Sequence, residues 1–199
     1  MMLIPPVSER DHAQGPATAV ITLVEYGDYH NRECAAAKPW IEALQSRMGD
    51  RLRLVFRHCP ASDFPPHAVE AAEAAGHQGR FWGMHDVLLE HQSALGNGFL
   101  VEYARDLGLD TSLFLRDMTG HVFAERVRLD LAGGRRSGVQ KTPAFFVNGV
   151  RGRGSWKAGL ASLTAAFAQN RGEIGGWLDG SPLSFPDGDE ESREGNHDY

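Results

Sequence analysis

The chain has 199 residues, 42% of them hydrophobic, which suffices for one well-buried domain or one domain with a sizeable insertion. The formal net charge is -6, most of it contributed by Asp187, Asp189, Glu190, Glu191, Glu194 and Asp198, which stand against a single base, Arg193. No clustered basic face and no apolar run of about 18 residues occurs, so neither a nucleic-acid binder nor a membrane span is expected.

Residues 1–18 carry Pro5, Pro6, Gly15 and Pro16 and read as an N-terminal arm lying on the surface. Their short apolar start is broken by two prolines and has no basic leader, so no secretory signal is expected there. The expected compartment is the cytoplasm, where Cys34 and Cys59 are free thiols by default.

Residues 19–26 (AVITLVEY) are β-branched and apolar without alternation, the pattern of a strand buried on both faces. Gly27-Asp28 breaks it. Residues 31–48 follow as a helix, with Asn31 as N-cap and Trp40, Ile41, Leu44 and Met48 at helical spacing. Pro39 sits inside that helix, where proline is normally selected against. Residues 51–58 (RLRLVFRH) form a second strand, closed by Pro60. Strand, helix and strand with a short return imply a right-handed βαβ unit with parallel strands.

From 67 to 136 the pattern is helical throughout, with helices near 67–77, 80–92, 99–107, 111–118 and 121–134. Residues 144–147 then read as a strand, Asn148-Gly149 as a two-residue hairpin turn and 150–153 as the return. Ser155 caps a last helix over 156–169. Residues 170–199, rich in Gly, Pro, Asp and Ser, read as an acidic, mobile tail. The division is therefore an arm (1–18), a core in two pieces (19–66 and 137–169), a helical insertion (67–136) and a tail.

The segments ITLVEYGDYHNREC, FRHCP, PHAVEAAEAA, FWGMHDVLLE and SGVQKTPAFFVNG, in this order and followed by a closing helix, resemble the DsbA-like thioredoxin family from about residue 4 to residue 169. The resemblance implies an α/β thioredoxin fold with an inserted all-helical subdomain, and thiol-disulfide oxidoreductase activity. In some relatives such a domain is fused to a sodium/proton antiporter. Members carry Cys-Pro-x-Cys after the GDY turn. Here those positions are Asn31, Arg32, Glu33 and Cys34. By the resemblance, Asn31 stands where the attacking thiol belongs and Cys34 keeps the place of the resolving thiol.

That substitution bears directly on chemistry. A cysteine at a helix N-terminus is stabilised as thiolate by unpaired amides and the helix dipole, and attacks a disulfide that the second thiol resolves. Asn31 cannot do this. Cys34 lies one turn in, where burial disfavours its thiolate and Arg32 partly offsets that effect. Glu25 matches the family's proton-transfer acid. It reads either as a working partner of Cys34 or as an inherited, water-linked residue. Cys59, at the end of the second strand, faces the same rim and is a possible second thiol, though two isolated thiols are the favoured reading. Thr142-Pro143 matches the family's cis-proline loop, whose backbone pairs with an extended peptide by strand addition. His30, His58 and His67 match no zinc spacing, and no metal is expected.

Two functions follow at nearly equal rank. One is monothiol redox chemistry at Cys34, with protein or peptide thiols, glutathione or a peroxide. The other is a non-catalytic module binding a peptide or protein partner at the Pro143 groove. A conventional dithiol exchange between Cys34 and Cys59 ranks well below. No bound cofactor is expected, with glutathione a candidate co-substrate.

Overall fold

The protein is described from a computed structural model that covers residues 1–61, 67–152, 155–158, 160–161 and 163. The elements in chain order are β1 (His12–Gln14), β2 (Ile21–Gly27), α1 (Arg32–Met48), β3 (Leu52–His58), α2 (His67–His77), α3 (Phe81–Glu90), α4 (Asn97–Asp106), α5 (Thr111–Thr119), α6 (Ala124–Arg136), β4 (Ala144–Val147) and β5 (Val150–Arg151).

The strands form one mixed sheet in the order β1-β3-β2-β4-β5. β2 and β3 are parallel, with Leu23 beside Leu54 and Gly27 beside His58. β4 runs antiparallel to β2, with Glu25 beside Phe145. The unbroken apolar run of β2 suits this central position, because both of its faces are covered. On one face α1 buries Cys34, Ala37, Ile41, Leu44 and Met48 against the sheet. Those positions recur at intervals of three and four residues, one stripe of an amphipathic helix. On the other face Val24, Tyr26, Val55 and Phe146 pack with Leu3. Each such side chain contributes about 1.5–3 kcal/mol on burial.

The helices α2 to α6 have a core of their own, built on Met84, Leu88, Leu100, Phe114 and Val127. α2 presents buried alanines at 68, 71, 72, 74 and 75, which lets neighbouring helices approach closely. α6 returns to the sheet through Gly133 and Gly134. A Cβ on Gly133 would sit 3.1 Å from the Tyr26 hydroxyl, and one on Gly134 3.3 Å from its ring. α6 starts at Ala124 rather than 121 because His121 takes a left-handed conformation (φ 49°) that no helix continues through.

The surface arm expected over 1–18 needs correcting. His12–Gln14 add to the sheet antiparallel to β3, and Leu3 is buried. The segment is tied down by Arg57. Its Nε and Nη2 donate to the two carboxylate oxygens of Asp11 (2.7 and 3.1 Å). Its Nη1 donates to the Pro5 carbonyl and the Tyr26 hydroxyl, and Nη2 also to the Pro6 carbonyl. The arm has no apolar run to announce a strand. The open edge of β3 and a buried guanidinium recruit it instead.

Ser155 Oγ accepts from the Ala158 amide at 3.2 Å, as an N-cap does, and Leu160 and Leu163 pack in the α1 cluster. The rest of the segment read as the last helix, and the whole of 170–199, lie outside the described residues.

Candidate active site

The mouth of α1 is built around Asn31. Its backbone is extended and its Oδ1 accepts the Glu33 amide at 2.9 Å, so it is the N-cap. Its Nδ2 reaches across to the loop before β4 and donates to the Thr142 carbonyl (2.8 Å) and hydroxyl (3.0 Å). The Thr142–Pro143 peptide is cis and Pro143 is buried. One side chain thus joins the start of α1 to the proline loop. From the far side, Gln92 in the helical insertion donates to the carbonyls of Tyr29 and Asn31, both at 2.9 Å. That contact is between residues more than 60 positions apart, and no spacing in the sequence announces it.

Cys34 lies one turn in and is 1% exposed. Its Sγ accepts from the Asp28 amide at 3.4 Å. Burial, with the Glu25 carboxylate second, pushes the thiol up to about 12, and the Asp28 amide and the Thr142 hydroxyl only partly oppose this. Glu25, 2% exposed on β2, has Oε1 without a hydrogen-bond partner among the described residues. Burial pushes its carboxyl up to about 8. Cys34 is therefore a protonated thiol, and Glu25 keeps its proton near neutrality.

Cys59 is half-buried just past β3, and its amide donates to the Gly27 carbonyl at 2.7 Å. Burial, then Asp28, pushes its thiol up to about 11. Both cysteines are free. Arg32 and Glu33 are exposed, and Glu33 Oε2 accepts a hydrogen bond from Trp156 Nε1. Thr142, Pro143, Phe145, Glu33 and Trp156 line a groove of about 450 Å³ on that side of the proline loop.

The three histidines read together in the sequence do not assemble. His30 Nδ1 is 3.6 Å from Asp28, His67 Nδ1 is 3.6 Å from Glu70, and His58 Nε2 is 2.7 Å from Glu73. A different cluster forms instead. His12 Nε2, His58 Nε2 and Arg126 Nε all converge on Glu73 Oε1, at 2.8, 2.7 and 2.9 Å. His12, His58 and Glu73 are the only such grouping with metal-ligand chemistry among the described residues. These are hydrogen-bond lengths, and the guanidinium of Arg126 supplies the positive charge that the carboxylate requires. The cluster ties β1, β3, α2 and α6 together.

Residues 7–159 match the sequence model of the thioredoxin family. The chain belongs to that family. Among solved structures, this thioredoxin-family chain is similar to a thioredoxin-like oxidoreductase from Silicibacter pomeroyi (TM-score 0.70, 24% identity, 82% of this chain and 95% of that one). It is also similar to BdbD from Bacillus subtilis (TM-score 0.67, 19% identity, 81% and 94%). A third is α-DsbA1 from Wolbachia pipientis (TM-score 0.71, 16% identity, 84% and 93%). The fold is thus the DsbA-like thioredoxin fold with its helical insertion. Among curated sequences the chain is 42% identical over 175 residues to Na(+)/H(+) antiporter NhaA 1 of Salinispora arenicola. It is 43% identical over 172 residues to the NhaA antiporter of Herminiimonas arsenicoxydans. The matches cover 85% and 86% of this chain but 27% of each antiporter, so the chain spans about a quarter of the length of these relatives.

Proposed function

We propose that this thioredoxin-family chain is a binding module that holds an extended peptide or protein partner in the groove beside Thr142 and Pro143, without dithiol exchange at positions 31–34. What carries the reading is the state of the motif. Its one thiol, Cys34, is buried and held protonated, and the mouth of α1 is filled by an amide side chain bonded to the proline loop. A thiol with its pKa pushed to about 12 is a poor nucleophile at neutral pH. The groove still offers an apolar wall, Pro143, Phe145 and Trp156, against which an extended chain can lie. A reducing cytoplasm is the setting proposed for it, in keeping with two free thiols.

The test has two parts. Dithiothreitol-coupled insulin reduction by the wild type is expected at background, and Asn31→Cys is expected to bring measurable turnover by restoring two thiols three residues apart. Reduced, carboxyamidomethylated lactalbumin, an extended chain without thiols, is expected to bind, with affinity weakened about tenfold by Trp156→Ala. Strong wild-type turnover that disappears in Cys34→Ser, or no binding of the extended chain, overturns the proposal.

A second reading, monothiol chemistry at Cys34, is favoured by one observation. Glu25 is buried, has no partner for Oε1 among the described residues and has its pKa pushed up to about 8, as suits a group that exchanges a proton with a thiol. Under that reading, glutathione disulfide gives a protein one glutathionyl group heavier, releasing reduced glutathione, and the modification maps to Cys34. Modification at Cys59 alone removes this reading.

A further inference from the structure

Adjoining the Trp156 groove, and sharing Lys141 and Thr142 with it, lies a second concavity, a cleft of about 790 Å³. Its walls come from separate parts of the chain: Arg32 opens α1, Arg135 closes α6, and Lys141 precedes the Thr142–Pro143 peptide. Cys59 and His30 also line it. Asp28 is the one carboxylate among the described lining residues, and backbone donors engage both of its oxygens. Oδ1 accepts the His30 amide at 2.9 Å and Oδ2 the Ala61 amide at 3.1 Å. Arg32 and Lys141 have no ion-pair partner among the described residues. The cleft therefore carries three permanent cations in a chain whose net charge is -6.

We propose that this cleft is a binding site for an acidic segment of a partner protein. Cations gathered in a concave, low-dielectric site focus the field and select anions against the repulsion of an overall acidic protein. The volume falls in the range of about 300–1,000 Å³ that holds a ligand of several residues rather than a single small ion. The cations come from three elements, so they flank a length of chain instead of marking one point. The site shares Lys141 and Thr142 with the Trp156 groove, but its other walls are separate and its probe is a different one, so its failure leaves the proposed function standing.

The test uses the full chain and a fluorescein-labelled hexaglutamate peptide, followed by anisotropy, with hexaglutamine as the neutral control. Saturable binding of hexaglutamate alone is expected, weakening as salt is raised. The pair Arg32→Glu and Lys141→Glu is expected to lower affinity at least about tenfold, with the fold checked by circular dichroism. Maleimide labelling of Cys59 is expected to slow in the bound state, because that thiol lines the cleft while Cys34 is buried. Absence of saturable binding, unchanged affinity in the charge-reversed protein, or binding that leaves Cys59 labelling unaffected overturns the proposal. Binding of citrate without binding of the peptide overturns the assignment to a peptide. One further arm identifies the source of the segment. With Asp187, Asp189, Glu190, Glu191, Glu194 and Asp198 replaced by amides, unchanged binding of the probe is expected. Tighter binding overturns the assignment to a partner and names the chain's own acidic stretch as the occupant.

Discussion

Glu25 and Glu73 are buried to nearly the same degree, 2% and 3% exposed, in neighbouring parts of one domain, yet the protein holds them in opposite states. Glu25 has an oxygen with no donor among the described residues, and burial keeps its proton on up to about pH 8. Burial pushes Glu73 the same way, but hydrogen bonds from His12 and His58 outweigh it and hold this carboxyl well below the usual carboxylate range. Arg126 adds a full charge on the same oxygen. Burial alone does not decide ionisation; the donors that share the site do. The neutral acid lies close enough to Cys34 to raise its pKa, and the ionised one holds elements together.

The largest effect expected from this contrast is on stability. Glu73→Ala strands a half-buried guanidinium and two imidazoles, at a cost of about 3 kcal/mol in urea unfolding at neutral pH. Because the folded state depresses this carboxyl, its contribution is present above about pH 4.5 and is lost as pH falls below that value. The penalty of the substitution should shrink in acid. A penalty that stays constant there breaks the contrast.

Glu25 should behave in the reverse sense. The unfolded chain releases this proton near 4.5 while the folded state keeps it to about 8, so the group costs stability progressively as pH rises through that window. Glu25→Gln is expected to be neutral in acid and to stabilise by about 3 kcal/mol at pH 7. Equal stability of the two proteins at both pH values would place a donor on Oε1.

The smallest effect concerns Asn31. Asn31→Ala removes the N-cap and both bonds to Thr142, at a cost of about 1–2 kcal/mol. Asn31→Asp keeps the cap and loses the donor, so the difference between the two variants in thermal unfolding measures the link to the proline loop.

The fold was legible where local chemistry repeats a pattern. The unalternating β2 run, the Asn31 cap, the Asn148-Gly149 turn and the order of the motifs all point one way, and the family comparison and the sheet agree with them. What was not legible depends on partners far apart in the chain. β1 is three residues without an apolar signature, and it becomes a strand only because the edge of β3 is open. Glu73 reads as one acid among alanines on a helix, since its partners come from positions 12, 58 and 126. At the site, the sequence named Cys34, Glu25, Asn31 and Thr142, but not that the Asn31 amide would bond the Thr142 carbonyl.

The Arg57 side chain has a consequence for where such a unit can be cut or joined. All its donating nitrogens are spent on Asp11, Pro5, Pro6 and Tyr26, with only 3% of the side chain exposed. A splice point placed after the first eighteen residues would look harmless on a hydropathy plot. It would strip Arg57 of its counterion and of two of the carbonyls it donates to, and would uncover the edge of β3, so a longer polypeptide keeps this unit intact only when it carries the proline-containing lead-in as well.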